Sequence, residues 1–549
     1  MDHSLNYYIA ESIKKNWEEL AMTDFNGVSF QYRDVARKIA KLHILFEHSG
    51  VNIGDKIALC GKNSSQLAIS IIAGLTYGAV PVPILHEFKP DNIHHLVNHS
   101  DAKLFFVDEA IWENLDASTM NNLVGVIKIL DYSLILSKSE KLTDARHTLN
   151  ELFGRKYPER FTQKDVKYYE PEPDELALIN YTSGSTGFSK GVMIPQRALW
   201  SNVKYCLDYL HYLKPQDGMI CMLPLAHMFG LVIEMLHPIA GGCHIYFLTR
   251  TPSPRVIMNA FATVKPKVII SVPLILEKII KTKVFPLLDK PVMKLLLKVP
   301  FVDDHLLKKI KDKLTETFGG DLKQIIIGGA ALNNEVASFL KRIDFPFTVG
   351  YGMTECAPLI SYAQWDQNPV GSCGKIVERM KGKVVYRNHE NNAGELFVKG
   401  DNVMLGYYKN EEATNSVFED GWLNTGDLCS IDDNGYVYLR GRSKTMILGP
   451  SGQNIYPEEI EQKLNNMPYV CESLVVDDNG RLVALIYPDL ENGASQGMNF
   501  DSLRDLMKEN VANLNKELPG YSQISNIKVY TEEFEKTPKR SIKRYLYQR

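Results

Sequence analysis

Short runs of consecutive apolar residues alternate with amphipathic stretches over the first two-thirds of the chain. Each run has apolar side chains at successive positions and no polar face; the runs lie at 56–61, 102–108, 267–273 and 323–329. Strands that are covered on both faces in a parallel sheet have this pattern. Residues 67–84 are predicted to form a helix, a turn and another such strand. Because strands and helices alternate, the pattern predicts layered α/β structure.

The pattern changes near residue 370, where short strands separated by turn residues follow one another. The Asn434-Gly435 pair is a strong hairpin signal and predicts antiparallel pairing. After residue 444 the chain restarts with Pro457 at a predicted helix start, followed by glutamates that suit the helix dipole. A hairpin over 473–488 and a helix over 501–517 are also predicted.

The composition is that of an ordinary globular protein, with 45% hydrophobic and 23% charged residues. The net charge of −3 argues against a nucleic-acid-binding protein, which usually has a basic excess. No apolar run reaches the roughly 20 residues that span a bilayer, and no secretory signal is visible at the start. The eight cysteines are scattered without a C-x-x-C pair, so we expect buried packing thiols and a cytoplasmic protein.

A loop rich in glycine and hydroxyl groups, YTSGSTGFSKG, occupies residues 181–191 between a strand-like run and a predicted helix. Such a loop offers backbone N–H groups and hydroxyls to a polyphosphate, and Lys190 adds a mobile positive charge. The spacing G-x-x-x-x-G-K-[ST] of the common phosphate loop is absent. From these residues alone, the segment is either a different kind of phosphate-binding loop or a surface turn.

Four further motifs accompany the loop: LPLAHMFG at 223–230, IIGGAAL at 326–332, GYGMTECAPL at 350–359 and GWLNTGDLCSIDDNGYVYLRGRSK at 421–444. In this order the set resembles the adenylate-forming superfamily, which comprises acyl-CoA synthetases, luciferases and the adenylation domains of peptide synthetases. This resemblance covers the chain from about residue 30 to its end, and within the superfamily the chain is most similar to long-chain fatty acid–CoA ligases.

The resemblance implies an α/β protein with two domains. The large domain, residues 1–440, would contain layered α/β subdomains (1–365) and a distorted antiparallel β-barrel (about 366–440). A hinge at 441–445 would join it to a small mobile α+β domain at 446–549.

The resemblance also implies activation of a carboxylic acid by ATP and Mg²⁺. The acid would attack the α-phosphate to form acyl-AMP, a displacement that needs positioning and charge neutralisation. The loop over the departing pyrophosphate would comprise Thr182, Ser183, Gly184, Ser185, Thr186, Gly187 and Lys190. The nucleotide would be bound by Gly328, Gly329, Ala330, Tyr351, Gly352, Met353, Thr354 and Asp427, with Tyr351 stacked on adenine, Thr354 at the α-phosphate and Asp427 at the ribose.

The remaining implied roles concern the metal and the transfer to coenzyme A. Glu355 would bind Mg²⁺, a hard cation that prefers carboxylate and phosphate oxygens. Arg442 would assist at the ribose or phosphate, and Lys444 would be the hinge about which the small domain rotates between the half-reactions. On the thiol side, Gly449 and Gly452 would let the backbone approach the pantetheine arm. His227 would lie near the carboxylate and the thiol path; a merely packed histidine is the alternative.

The C-terminal end, FEKTPKRSIKRYLYQR at 534–549, departs from the family pattern. Alignment of Thr537-Pro538 with the family motif places Ser541 where a lysine would contact the α-phosphate. Three explanations are open. Lys539 or Lys543 takes the place of the missing lysine, the adenylation step is slow, or residue 541 differs from the residue of the natural protein.

The segment 279–314 has nine lysines and four aspartates, and residues 292, 295, 296 and 299 lie on one helical face. An insertion of this kind is similar to that of the long-chain members, so a medium- to long-chain fatty acid is the expected substrate. A basic amphipathic surface predicts peripheral contact with the inner membrane face, and a solvated helix pair is the alternative. Coenzyme A is the expected acceptor. The alternatives are an acyl carrier protein, or a weakly active or nonenzymatic acyl- or nucleotide-binding protein because of Ser541.

Overall fold

The computed structural model describes residues 4–182, 190–249, 253–288, 290–291, 293, 302–386, 393–448, 454–478, 480–537 and 542–548. These residues pack into two compact units. The N-terminal unit contains the described residues of 1–182, 190–381 and 399–416, and the C-terminal unit those of 382–398 and 417–549. Throughout the described ranges, no helix is both long enough and apolar enough to cross a membrane.

The larger parallel sheet of the N-terminal unit contains two of the predicted buried runs. Its strand order is Val80–Ile84, Lys56–Cys60, Leu104–Val107, Gly125–Lys128 and Leu134–Ser137, and the first four strands are parallel. Helix Ser65–Tyr77 begins after its Ser64 cap and ends at Gly78, whose φ of 90° favours glycine. The predicted helix, turn and strand over 67–84 are therefore confirmed.

A second parallel sheet contains the other two predicted runs, in the order Val268–Ser271, Gln324–Ile327 and Phe347–Val349. Four helices share one hydrophobic core with these strands: Pro254–Val264, Pro273–Ile279, Val302–Thr317 and Asn334–Arg342. Because parallel strands end at the same edge of a sheet, the segments after residues 271, 327 and 349 start from one edge.

The described residues of the N-terminal unit also form three further small sheets. Their orders are Gly218–Cys221, His244–Phe247, Leu20–Asp24, Ser29–Gln31; Gly406–Tyr407, Lys190–Pro195, Leu176–Thr182; and Tyr351–Gly352, Leu359–Tyr362, Lys375–Ile376. The other α-helices among the described residues of this unit are Leu5–Lys15, Tyr32–Ser49, Pro90–His99, Glu109–Trp112, Glu140–His147, Leu149–Lys156, Gln196–Tyr209, His237–Ala240, Phe285–Leu288 and Glu411–Asn415. Gly230–Leu236 and Ile280–Val284 are π-helical. The predicted face at 292–299 lies almost wholly outside the described residues.

The β-rich segment is antiparallel, as predicted. Its sheet has the order Met380–Val385, Gly394–Gly400, Trp422–Ile431 and Phe418–Glu419, and Val437–Arg442 also pairs with Trp422–Ile431. The hairpin at Asn434-Gly435 is confirmed, but of this pair only Gly435 has a positive φ, 84°. A two-residue Asn-Gly turn needs positive φ at both positions, so this turn is a longer one, held by Asp432, whose Oδ1 accepts from the N–H groups of Asn434 and Tyr436.

The rest of the C-terminal unit is an α+β layer. One sheet contains Val470–Asp478, Arg481–Pro488 and Asn526–Val529, and Ile447–Leu448 pairs with Asn454–Ile455. The helices are Pro457–Leu464, Leu490–Ser495 and Phe500–Asn515. The helix start at Pro457, the hairpin within 473–488 and the helix over 501–517 are thus confirmed. The expectation that every cysteine is buried is wrong for Cys471, which is exposed because it precedes the buried part of its strand.

Candidate active site

The predicted phosphate loop lies between the ends of a two-stranded hairpin. Strands Leu176–Thr182 and Lys190–Pro195 are antiparallel, and their last pair joins Thr182 to Lys190. The Thr182 hydroxyl also donates to the Lys190 carbonyl over 3.5 Å. The structure therefore brings the two ends of the loop together. The predicted loop residues between them, Ser183, Gly184, Ser185, Thr186 and Gly187, lie outside the described residues.

A histidine supports the base of this hairpin. His99 Nδ1 lies 2.7 Å from the hydroxyl oxygen of Tyr181, the residue before Thr182. Burial raises the pKa of Tyr181 and lowers the pKa of His99, which nearby His95 and Lys409 lower further. Both shifts favour the uncharged side chains, so a neutral hydrogen bond holds the end of the strand.

Glu355, Tyr407 and Lys190 form a chain of contacts, and Lys190 is the first described residue after the glycine-rich segment 183–189. The Tyr407 hydroxyl donates a hydrogen bond to Glu355 Oε1 over 2.9 Å. Lys190 Nζ lies 4.7 Å from the centroid of the Tyr407 ring, which is within the range of a cation–π interaction. Burial and the charge of Glu355 raise the pKa of Tyr407, so its hydroxyl keeps its proton and remains a donor. One tyrosine thus contacts both the predicted metal ligand and the predicted phosphate-binding lysine.

The backbone around Glu355 is tightly folded. Gly352 leaves no space for a side chain, since a Cβ atom there would lie 2.1 Å from the Pro358 carbonyl oxygen. Thr354–Cys356 form a short 3₁₀ turn, and the Glu355 carbonyl accepts a hydrogen bond from the Met404 N–H over 2.9 Å. Glu355 is 9% exposed. Its carboxylate is therefore held by contacts of both its side chain and its backbone.

The other predicted nucleotide residues of this unit follow strands of the second parallel sheet. Gly328, Gly329 and Ala330 come directly after Gln324–Ile327; Gly328 is buried and the other two are exposed. Tyr351, which is buried, and Met353, whose N–H donates to the Pro358 carbonyl, come after Phe347–Val349. They follow the carboxyl ends of the strands, where α/β proteins commonly bind ligands.

His227 is half-buried and lies between strand Gly218–Cys221 and the π-helical turn Gly230–Leu236. Its N–H donates to the Pro224 carbonyl over 2.9 Å, and its carbonyl accepts from the Leu231 N–H over 2.8 Å. The Phe229 ring closes over Gly328, where a Cβ atom would lie 2.9 Å from it. The structure thus joins the motifs at 223–230 and 326–332, while the role of His227 stays a prediction.

In the C-terminal unit, Asp427 and Arg442 lie opposite each other on paired strands. Arg442 Nε is 3.2 Å from Asp427 Oδ1, and the two side chains are 69% and 10% exposed, respectively. The pair therefore combines a nearly buried carboxylate with a guanidinium that faces water. Sequence motifs alone identified both residues, and the structure brings them into direct contact.

The predicted hinge residue Lys444 is exposed in the 3₁₀ turn Ser443–Thr445. On either side of it, Ser443 donates to Glu395 over 2.7 Å and Thr445 donates to Glu458. Both contacts lie within the C-terminal unit, and rotation about Lys444 stays a prediction. Gly449 and Gly452 lie outside the described residues.

The C-terminal tail carries one of the two lysines proposed to replace the missing one. Lys543 Nζ is 3.1 Å from Glu535 Oε2, and this carboxylate raises the pKa of Lys543. Lys539 and Ser541 lie outside the described residues. The replacement of the missing α-phosphate-binding lysine by a neighbouring lysine therefore stays a prediction.

Tyr407 belongs to none of the motifs identified above. It lies in strand Gly406–Tyr407, which pairs with Lys190–Pro195 and so reaches both Lys190 and Glu355. The one local signal is the preceding Gly406, whose φ of 145° marks a special backbone position. That signal indicates a turn or a close approach and does not identify which residues the tyrosine contacts.

Family models match most of the chain. A model described as AMP-binding enzyme matches residues 9–408, and one described as AMP-binding enzyme C-terminal domain matches residues 444–549. A long-chain-fatty-acid–CoA ligase of Mycobacterium bovis is 27% identical over 458 residues, which are 78% of this chain and 72% of that protein. A long-chain-fatty-acid–CoA ligase of Escherichia coli O157:H7 is 28% identical over 454 residues, which are 78% of this chain and 74% of that protein.

The fold also matches solved structures. An anthranilate CoA ligase in complex with anthranoyl-AMP superposes with a TM-score of 0.78 at 18% identity, covering 99% of this chain and 96% of that one. At this identity the similarity concerns the fold alone. The match extends over nearly the whole chain, so the α/β architecture inferred from the sequence is confirmed.

Proposed function

We propose, because this chain belongs to the AMP-binding enzyme family, that it converts a medium- to long-chain fatty acid into its coenzyme A thioester. The coarser activity follows from the family: the chain is an adenylate-forming acid–CoA ligase, a class that uses ATP, Mg²⁺ and coenzyme A. The fatty acid, and the role of each residue, belong to the proposal.

The first half-reaction makes the carboxylate a better acyl donor. A carboxylate oxygen attacks the α-phosphorus of ATP, the bond from that phosphorus to pyrophosphate breaks, and acyl-AMP results. In the second, the coenzyme A thiolate attacks the acyl carbon, the bond to AMP breaks, and the thiol proton passes to solvent. Both steps depend mainly on positioning and on neutralising phosphate charge.

One observation carries this proposal: Tyr407 contacts both Glu355 and Lys190, the residue that follows the glycine-rich loop segment 183–189 in the sequence. Lys190 would neutralise the pyrophosphate that leaves, because its ammonium sits at the base of that loop. Thr182, Thr354 and the loop hydroxyls would donate to phosphate oxygens. Asp427 would accept from the ribose hydroxyls, and Arg442 would assist there.

The residues fit a magnesium ion that is shared with substrate. Among the described residues, no group of three or more histidine, cysteine or acidic side chains could hold a metal by itself. Mg²⁺ characteristically binds through one or two carboxylates together with phosphates and water, so a single oriented carboxylate suffices. Glu355 would hold it, and the bound ion would neutralise charge on the phosphates.

The fatty-acid assignment has two supports. The two relatives described above are named long-chain-fatty-acid–CoA ligases, at 27% and 28% identity. The segment 279–314 has an excess of five positive charges, which suits an anionic surface where fatty acids partition. Peripheral membrane contact is the corresponding proposal for localisation, and an apolar path for the chain is expected near this segment.

The experiment is a series of saturated acids, from short to long chain, assayed by pyrophosphate release with ATP, Mg²⁺ and coenzyme A. We expect kcat/KM to rise with chain length and to be highest for medium- to long-chain acids, because each buried methylene adds about 0.8 kcal/mol. An aromatic acid of similar carbon number serves as the control. A preference for short or aromatic acids would contradict the fatty-acid assignment and leave the family activity intact.

Replacing coenzyme A by an acyl carrier protein in the same assay separates the two acceptors. Thioester formation with coenzyme A is the expected result. Faster loading of the carrier protein would instead support the alternative acceptor, and acid-dependent exchange without any thioester would indicate an enzyme that stops at acyl-AMP.

A further inference from the structure

The segment Met222–His227 is held by three polar side chains that belong to none of the motif roles above. Asn63 accepts from the Leu225 N–H over 3.0 Å and donates to the Leu223 carbonyl over 2.7 Å. It lies just after strand Lys56–Cys60 of the larger parallel sheet. One amide side chain thus binds the backbone on both sides of Pro224.

The second contact comes from the strand that leads into the phosphate loop. Asn180 is fully buried in Leu176–Thr182, two residues before Thr182, and its amide donates to the Ala226 carbonyl over 2.9 Å. Ala226 is the residue before His227. The hydrogen bond therefore connects the base of the ATP-binding loop directly to the segment predicted to meet the carboxylate and the thiol.

The third contact comes from the π-helical turn Gly230–Leu236. Glu234 is fully buried, and its Oε2 accepts from the N–H groups of Met222 and Leu223 over 3.0 and 2.8 Å. Burial raises the pKa of Glu234 well above its ordinary value. Burying a carboxyl group is costly unless it is hydrogen-bonded, and the two backbone donors offset part of that cost while they tie Met222 and Leu223 to the turn.

Gly230 lets this turn approach the segment closely. A Cβ atom at Gly230 would lie 2.8 Å from the Pro224 carbonyl oxygen and 2.9 Å from the Leu223 carbonyl oxygen. The segment is therefore enclosed by the turn and bonded to two further elements, the strand of Asn180 and the loop of Asn63.

We infer that Asn63, Asn180 and Glu234 are positioning residues: together they fix the backbone that carries His227 in register with the phosphate loop, and so set the affinity for the acid substrate. None of the three needs to touch substrate. The inference rests on the proposed function, because it takes the segment at His227 as the acid-binding wall.

Asn180→Asp tests the link to the phosphate loop. Aspartate has the same shape but presents oxygen to the Ala226 carbonyl, so a hydrogen bond becomes a repulsion. Asn6→Asp is the matched control: Asn6 is also fully buried in the N-terminal unit, and its amide donates to the carbonyls of Leu75 and Tyr169. We expect KM for the acid to rise about tenfold in Asn180→Asp, with KM for ATP within about twofold of its original value. We expect both KM values to be unchanged in Asn6→Asp.

The pair Glu234→Gln and Glu234→Leu supplies a second test, which also serves if Asn180→Asp does not fold. Glutamine keeps an oxygen for the Met222 and Leu223 N–H groups, whereas leucine leaves both donors without it. We expect the glutamine variant to retain the KM for the acid and the leucine variant to raise it about tenfold. Equal KM values in these two variants, or a parallel rise in KM for ATP, would overturn the inference.

Amide hydrogen exchange of a peptide covering Met222–His227 separates this inference from the proposed function. We expect exchange of this peptide to be about tenfold faster in Asn180→Asp and Glu234→Leu and unchanged in Asn6→Asp and Glu234→Gln. If the original protein shows no acid-dependent pyrophosphate exchange, the proposed function fails. Unchanged exchange of this peptide in the first two variants would refute the positioning role itself.

Discussion

Glu355 in the N-terminal unit and Arg442 in the C-terminal unit are held in opposite ways. Glu355 is 9% exposed, its side chain accepts from Tyr407, and its carbonyl accepts from Met404. The Arg442 side chain is 69% exposed, and its ion pair with Asp427 faces water on the arginine side. Buried hydrogen bonds act in a low dielectric and fix direction, whereas an exposed ion pair is screened and contributes little.

The difference suggests that the groups around Glu355 are fixed in position, whereas contacts around Lys444 can be exchanged. The N-terminal unit presents pre-oriented groups, which suits a displacement at phosphorus that depends on positioning. In the C-terminal unit, the side chains of Arg442 and Lys444 are exposed, and the hydrogen bonds of Ser443 and Thr445 are only part-buried. Such contacts can be exchanged at a smaller energetic cost than the buried contacts of Glu355. The predicted rotation about Lys444 would require such an exchange of contacts.

The largest expected effect comes from removing the buried carboxylate. We expect Glu355→Ala to lower acid-dependent exchange of labelled pyrophosphate into ATP by roughly a thousandfold, because the proposed Mg²⁺ ligand is lost. Glu355→Gln keeps the shape and an acceptor for Tyr407 but not the charge, and it should be almost as impaired. Glu411→Gln, an exposed change on helix Glu411–Asn415, is the control. Exchange in Glu355→Ala within tenfold of the original rate would show that another group binds the metal.

The second prediction concerns Lys444, the predicted hinge residue. Lys444→Pro restricts the backbone at the predicted hinge, so we expect thioester formation to fall roughly a hundredfold while pyrophosphate exchange stays within about threefold. Lys444→Ala, which removes the charge and leaves the backbone free, is the matched control. If both half-reactions fall equally in the proline variant, the hinge does not lie at this residue.

Part of this architecture could be predicted from the sequence and part could not. The buried strands were identifiable because covered strands carry unbroken apolar runs, and the hairpin at Asn434-Gly435 because few residues tolerate its geometry. The short strands Leu20–Asp24 and Gly406–Tyr407 carry no such run, and each pairs with a strand about two hundred residues away, His244–Phe247 and Lys190–Pro195 respectively.

The same distinction holds for the candidate site. The motif residues Glu355, Lys190 and Asp427 could be named from resemblance, since local spacing identifies each motif. Tyr407 and Asn180 could not, because their importance lies in hydrogen bonds to segments distant in sequence. A buried polar residue shows no periodicity that separates it from one in a turn. Its role becomes visible only when the partner is known.

The C-terminal unit also has a largely buried ion pair, between Arg544 and Glu461. Arg544 lies 2.5 Å from Glu461, and the two side chains are 15% and 10% exposed. We expect Arg544→Gln to lower the stability of this unit by about 3 kcal/mol, because the Glu461 carboxylate stays buried without its partner. Thermal unfolding measures the loss, and Arg504→Gln, which breaks an exposed pair with Asp501, is the control.

The loss of stability in Arg544→Gln should depend on pH in a defined direction. Burial already raises the pKa of Glu461, while Arg544 lowers it, so removing the arginine raises the pKa further. A carboxyl group with a raised pKa in the folded state binds protons more readily there than in the unfolded chain, so its stabilisation is lost as pH rises. The loss in Arg544→Gln should therefore be larger near pH 8 than near about pH 5. A deficit that is constant with pH would show that Glu461 does not stay buried in the variant.

A smaller effect is expected where one hydroxyl is removed from the N-terminal site. Tyr407→Phe keeps the ring beneath Lys190 and loses the hydrogen bond to Glu355, so the carboxylate is less well oriented. We expect the Mg²⁺ concentration for half-maximal pyrophosphate exchange to rise about tenfold, as it does when other hydrogen-bond partners of metal ligands are removed. Tyr408→Phe, which removes the adjacent hydroxyl from Asp101, is the control. An unchanged Mg²⁺ requirement in Tyr407→Phe would exclude an orienting role for the hydroxyl.

The smallest effect should come from the Arg442–Asp427 pair, whose arginine side chain is exposed. Arg442→Gln removes a guanidinium that is largely hydrated, so we expect the free energy of unfolding to fall by less than about 1 kcal/mol. Added salt should reduce the difference further, because exposed charges are screened. The same unfolding measurement on Arg544→Gln provides the contrast within one unit. If the two variants lose equal stability, then Arg442 is held as firmly as a buried residue, and the exchange of contacts near Lys444 would need a different physical basis.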